Sequence, residues 1–220
     1  MGKNHKYKGI FITFEGPEGS GKSTQSNMLY EYLKSRGHNV ATTFEPGGTP
    51  IANQIRSVIL ARENIKMTPE CEMFLYAASR SQHVAEVIVP KIENGGIVIC
   101  DRFTDSSIAY QGFGRELGQD KVGDIQKIAT GGVMPDLTIM LDIETEIGLE
   151  RTFNKRNPNK IESAADRIEL ENITFHKKVR SGYLKLAEMF PERIKVLKAN
   201  EEPAVIFEKI KDIIKNEFNI

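Results

Sequence analysis

The 220-residue chain has no tryptophan, two cysteines and four histidines. Cys71 and Cys100 are too few for a disulfide framework and show no metal-ligand spacing. His5, His38, His83 and His176 are scattered without a zinc pattern. Net charge is missing as well. Thirty Lys and Arg balance thirty Asp and Glu, and a pI near 6.9 offers no electrostatic footprint for nucleic acid. No apolar run approaches the roughly 18 residues needed to cross a bilayer. The basic start, Met1 to Lys8, is followed by no apolar signal core, and Lys6 breaks the myristoylation pattern. These absences lead us to expect a cytoplasmic, reduced protein with neither membrane nor nucleic acid as partner.

What is present is alternation. Apolar runs at 9–14, 39–44, 97–101, 137–142 and 194–198 read as strands, mostly continuous as in a parallel sheet covered on both faces. Helical spacing is expected at about 22–36, 49–61, 69–93, 119–130, 144–155, 166–190 and 203–217. Gly37 suits a helix C-terminus, and Pro69 and Pro203 suit first turns. The expected fold is α/β: a doubly wound five-stranded parallel sheet with helices on both faces and ligands at the carboxyl ends of the strands. No repeat or linker divides residues 1–220, which read as a single domain.

The strongest motif is Gly16-Pro17-Glu18-Gly19-Ser20-Gly21-Lys22-Ser23, followed by Thr24, between the first strand and the first helix. It matches G-x-x-x-x-G-K-[ST]. Glycines let backbone N–H groups approach phosphate oxygens, the Lys22 ammonium reaches the β- and γ-phosphates, and the Ser23 hydroxyl can ligate Mg²⁺. The fold is therefore expected to be of P-loop NTPase type, with a nucleoside triphosphate and Mg²⁺ as cofactors. The motif leaves the fate of the γ-phosphate open between transfer to an acceptor and slow hydrolysis in a regulatory switch.

Strand ends supply the second signal. Asp101-Arg102 closes a buried strand, where the Asp can hold Mg²⁺ and the Arg can fork onto a second phosphate, or the two can form a plain salt bridge. Thr104 to Gly112 follows, with Ser106, Ser107 and Gln111 placed to hydrogen-bond a small planar ligand. Tyr76 and Arg80 share a helix face as either a base-stacking pair or core plus surface. Residues 154–165 are polar, basic and broken by Pro158. Beside a phosphate loop they read as part of a mobile lid at about 151–167 rather than an ordinary surface loop.

In order and spacing, the phosphate loop, Glu45-Pro46-Gly47-Gly48-Thr49, Tyr76-Ala77-Ala78-Ser79-Arg80, Asp101-Arg102, Ser106-Ser107, Ala109-Tyr110-Gln111-Gly112, Pro135-Asp136 and Leu141-Asp142 resemble the thymidylate kinase family over nearly the whole chain. The resemblance implies transfer of the ATP γ-phosphoryl group to thymidine 5′-monophosphate (dTMP), giving the diphosphate for DNA precursor synthesis. It implies Mg²⁺ and a homodimer. It places Glu18 near the sugar 3′-hydroxyl, Arg102 and Arg56 on the acceptor phosphate, Tyr76 on the thymine face, and Arg80 and Gln111 on the base edge. The family usually has Arg before Glu-Pro-Gly-Gly, where this chain has Phe44. Gly19 and Ser20 stand where some members carry a loop arginine, so the transition-state cation is expected from the lid in a bacterial-type arrangement. Arg151 and Arg156 are the first candidates, with Lys155, Lys160 and Arg167 beside them.

Overall fold

In the computed structural model, which describes residues 5–154 and 165–220, the apolar runs form β1 (Ile10–Glu15), β2 (Val40–Phe44), β3 (Ile97–Asp101), β4 (Leu137–Asp142) and β5 (Ile194–Lys198). They make one parallel sheet in the order β2-β3-β1-β4-β5. β1 lies in the middle. Its Ile10 stands opposite Ile97 of β3, and its Ile12 opposite Leu137 of β4. Alternate residues of β1 therefore enter opposite cores. Ile12 and Phe14 pack with Leu29 and Leu33 of α1 (Lys22–Ser35) and with Ile206 and Ile210 of α9 (Pro203–Phe218). Phe11 packs on the other face with Val98, Phe103 and Ile92. The chain runs from β1 to the sheet edge at β2, returns through β3, and crosses β1 to reach β4. The carboxyl end of β1 is thus the switch point where a doubly wound sheet opens a crevice.

Three stretches differ from the sequence reading. Residues 69–93 stay helical but not as one α-helix: α3 (Pro69–His83) passes through a π-helical stretch (Val84–Ile88) into α4 (Val89–Glu93). Pro90 explains the change. It lacks an N–H, and its ring collides with the carbonyl four residues back unless the turn widens. Residues 104–114, expected only as a polar segment, form α5 (Thr104–Ser107) and a second π-helical stretch (Ile108–Gly114). The helix expected at 166–190 begins only at Ile173 (α8, Ile173–Met189). The Asp166 side chain accepts the N–H groups of Ile168 and Glu169 in a local turn, and Asn172 caps the helix through the Phe175 N–H. The other helices are α2 (Pro50–Leu60), α6 (Gln119–Thr130) and α7 (Thr145–Asn154). Among the described residues, no helix is long and apolar enough to cross a membrane.

α5 is fastened to the sheet by a buried ion pair. The Arg193 guanidinium reaches both Asp105 oxygens, at 2.6 and 2.8 Å, and also donates to Thr138 Oγ1. Arg193→Met is expected to destabilise the protein by about 3–5 kcal/mol, because it strands a buried carboxylate. A urea midpoint equal to the wild type's would contradict this.

Candidate active site

The phosphate loop follows directly from β1. Gly16, Gly19 and Gly21 adopt positive φ values of 139°, 69° and 90°, which L side chains rarely tolerate. Gly19 is constrained twice, since a Cβ there would fall 2.0 Å from the Gly148 carbonyl oxygen of α7. Gly21 caps α1 without a side-chain acceptor, which leaves the first-turn N–H groups for an anion. The Lys22 ammonium is folded back onto the loop, donating to the carbonyls of Gly16 (3.0 Å) and Pro17 (2.8 Å) and to Ser20 Oγ (3.3 Å). Burial, and next the Arg102 charge, pull its pKa down to about 8. The Ser23 hydroxyl donates to Asp101 at 2.5 Å. This exposed pair of hard oxygen donors beside the loop fits Mg²⁺ bound jointly with phosphate. Among the described residues, no other cluster of His, Cys, Asp and Glu is arranged to hold a metal.

Arg102 stands in the centre. Its backbone has φ 71°, an uncommon conformation for arginine. Its guanidinium donates to Glu18 (2.9 Å), the Gly16 carbonyl (3.1 Å), Ser106 Oγ (3.2 Å) and Tyr183 Oη (3.1 Å), and lies over the Tyr110 ring. Burial alone would raise the Glu18 pKa. The Arg102 and Lys22 charges and a hydrogen bond from Tyr110 together outweigh it and hold that carboxyl at about 2.

The strained turn is secured from behind by Glu15, the last residue of β1. Glu15 Oε1 accepts the N–H groups of Phe103 (2.7 Å) and Ser106 (3.2 Å). Oε2 lies 2.6 Å from Ser106 Oγ and 2.8 Å from Tyr183 Oη, and those hydroxyl oxygens are themselves 2.7 Å apart. That triangle of oxygens has three short edges and only two hydroxyl protons, so a proton on Glu15 completes it. Burial, then the charge of Asp105, raises the Glu15 pKa to about 7.

The acceptor wall rests on two further buried carboxylates. Glu45 binds Arg80 (2.7 Å) and His83 Nδ1 (2.8 Å), and His83 Nε2 meets Thr43 Oγ1 (2.6 Å). Arg80 also donates to Ser107 (2.8 Å), the Phe103 carbonyl (2.9 Å) and Gln126, so four of its five N–H donors are used inside the protein. Glu72 binds Gln111, Arg115 and Arg167. Arg56 donates to the Pro46 carbonyl (2.7 Å), and its guanidinium lies over the Phe44 ring, centred 5.5 Å away. Phe44 thus offers a surface that steadies a cation.

The phosphate loop, Arg102 and part of the wall beside them border a single cleft of about 860 Å³. Glu18, Gly19, Gly21, Lys22, Ser23 and Thr24 line one side. Arg56, Tyr76, Arg80, Ser106, Ser107 and Gln111 line the other, with Asp101 and Arg102 between them. The geometry gives Ser106 and Ser107 a different emphasis from the sequence reading, since their hydroxyls hold Glu15, Tyr183, Arg102 and Arg80 in place. Of the cations expected on a lid, Arg151 donates to the Ala199 carbonyl (2.8 Å), and Arg167 is buried against Glu72 (2.7 Å) and the Ile59 carbonyl (3.0 Å). Lys155, Arg156 and Lys160 lie outside the described residues.

Sequence reasoning missed Glu15, Glu72, Tyr110, Gly148 and Tyr183. Glu15 did leave a signal, an acid closing a buried apolar strand just as Asp101 does. A glycine inside the helical pattern at 148 was the other.

The Glu15 geometry makes a pH prediction. A carboxyl raised from about 4.5 to about 7 by folding stabilises fully below pH 4.5 and loses that contribution as the pH rises through 7. Glu15→Gln should therefore flatten the fall in stability between pH 5 and 8. Parallel urea midpoints for wild type and variant across that range would refute the assignment.

Comparison with known proteins extends the picture. The family model described as thymidylate kinase matches residues 14–210. The chain is 50% identical over 208 residues to the thymidylate kinase of Clostridium novyi (strain NT), covering 94% of this chain and 99% of that protein. It is 45% identical over 211 residues to the thymidylate kinase of Geobacter sulfurreducens, covering 94% and 97%. The crystal structure of thymidylate kinase from Ehrlichia chaffeensis superposes with a TM-score of 0.74 at 29% identity, covering 94% of this chain and 98% of that one.

Proposed function

The chain belongs to the thymidylate kinase family, and from that membership and the cleft we propose that it transfers the ATP γ-phosphoryl group to dTMP for DNA precursor synthesis. One observation carries the reading. A single cleft has a phosphate loop on one side and a wall of Tyr76, Arg80 and Gln111 on the other, with Arg102 between them. A switch protein has no use for the second wall.

Phosphoryl transfer asks the protein for position and charge rather than covalent chemistry. The first-turn N–H groups of α1 hold donor phosphates, and Lys22 leaves the Gly16 and Pro17 carbonyls to meet the β,γ-oxygens. Arg102 turns part of its fork from Glu18 to the acceptor phosphate, which is already ionised at neutral pH and needs no strong base. Arg56, steadied on Phe44, adds a second contact there. Tyr76 covers the base face while Arg80 and Gln111 meet its edge, and Glu18 faces the sugar. Mg²⁺, held by Ser23 and Asp101 together with ATP, neutralises charge on the donor phosphates when bound.

The lid at about 151–167 belongs to the same reading, with Arg151 and Arg156 bringing positive charge and excluding water. So does a homodimer. Exposed Ile51, Val58, Phe74 and Ile128 on α2, α3 and α6 are apolar surface available for such an interface. A cytoplasmic site of work suits an ATP-dependent enzyme with free Cys71 and Cys100.

A coupled ADP-release assay over a panel of nucleoside monophosphates, nucleosides and water tests the reading, with dTMP expected to give the fastest turnover. A single pocket methyl is worth about 10–200-fold, so dUMP should be slower but not silent. Arg102→Ala should weaken dTMP by about tenfold or more, as expected for a charged hydrogen bond of about 1.5–3 kcal/mol, while sparing ATP. Equal loss for both ligands would put Arg102 elsewhere in the reaction.

Lys22 gives a separate pH test. The free protein's ammonium deprotonates near pH 8, and only the charged form binds phosphate. The value of kcat/KM for ATP should fall as the pH rises through about 8. A flat profile from pH 7 to 9.5 would contradict it.

A further inference from the structure

We propose that Glu72, which lies behind the cleft wall, is a specificity-determining positioning residue that fixes which end of the Gln111 amide faces the base, so that the wall offers an acceptor to an N–H of the ligand. This rests on the dTMP reading and adds to it how thymine is told from cytosine.

The argument is one of donors and acceptors. Gln111 is almost wholly buried and lines the cleft. A side-chain amide is two-ended, with Nε2 donating and Oε1 accepting, and two orientations of nearly the same shape. Glu72 removes the choice. Its carboxylate is buried and held by Arg115 at 3.0 and 3.1 Å and by Arg167 at 2.7 Å. With two guanidiniums on it, this carboxylate stays ionised and can only accept. Gln111 must therefore turn Nε2 toward it, and does so at 2.9 Å. Oε1 is left buried with no partner in the protein. A buried acceptor without a donor is costly, and a ligand N–H is what relieves it. Thymine and uracil carry a hydrogen on ring N3. Cytosine has a bare acceptor nitrogen there, which would face Oε1 lone pair to lone pair.

Glu72→Gln tests this. The variant has almost the same shape, but its amide can donate as well as accept, so Gln111 is free to reverse. The ratio of kcat/KM for dTMP over dCMP is expected to drop by about tenfold or more, chiefly through KM. Glu72→Asp, which keeps an obligate acceptor, should retain more of the ratio than Glu72→Gln at comparable stability. A Glu72→Gln enzyme that loses stability or overall rate while keeping the wild-type ratio would show that Glu72 only braces the fold, and would overturn the proposal. Wild-type enzyme that turns over neither pyrimidine would instead overturn the dTMP reading and this inference with it. Should Glu72→Gln fail to fold, nitrogen-resolved NMR of the wild-type protein decides. The Gln111 Nε2 protons should stay protected from exchange when dTMP is added. Nε2 protons that leave Glu72 for the base would refute the proposal.

Discussion

The site depends on one guanidinium being held where charge is needed before a ligand arrives. Arg102 adopts a backbone conformation that costs an ordinary residue of order 1 kcal/mol or more. It persists because the turn around it is over-determined. Glu15 grips the N–H groups of Phe103 and Ser106 on its far side, and Asp105 in the same turn is clamped by Arg193. The inner end of the Arg102 side chain therefore has little freedom, while its outer end is shared among Glu18, Gly16, Ser106 and Tyr183. In the proposed reaction such a group would exchange protein acceptors for phosphate oxygens without much reorganisation, which is what electrostatic catalysis requires.

The same arrangement recurs around the cleft. Three buried carboxyl groups brace the residues that face it, Glu15 and Glu72 from behind the lining and Glu45 from within it. Each is a hub of hydrogen bonds, and each fixes a side chain that the sequence alone would leave loose: Arg102 through its turn, Arg80, and Gln111. Buried charges of this kind are a poor source of net stability. Their effect is specificity of shape. The groups that meet the ligands have few alternative partners and few alternative rotamers.

This layering also explains what could be read from the sequence. The sheet, its parallel sense and the phosphate loop were legible because they are local. Apolar runs of strand length, glycines at fixed offsets and a helix start are written in consecutive residues. The boundaries of β3, β4 and β5 agree to the residue. Arg102, Tyr76 and Gln111 were reachable because they sit in contiguous motifs. The supporting hubs were not. Glu72 meets Gln111 39 positions away, and Glu15 meets Tyr183 across 168. Nothing local distinguishes such an acid from a solvated one. The π-helical stretches were hidden for a similar reason, since their hydrogen-bond shift is invisible in a 3.6-residue pattern unless a residue such as Pro90 betrays it.

Two contacts brace the halves of the cleft from outside, one in α7 and one at Arg167. On one side α7 is pressed against the phosphate loop. Gly148 and Gly19 approach so closely that a Cβ on Gly148 would lie 2.3 Å from the Glu18 carbonyl oxygen, and Arg151 of the same helix is pinned to Ala199. On the other side Arg167 is buried on Glu72, the residue that orients Gln111. Backbone-to-backbone contact at Gly148 and an ion pair at Arg167 are both stiff connections, so each wall of the cleft is braced by an element outside it before any ligand binds.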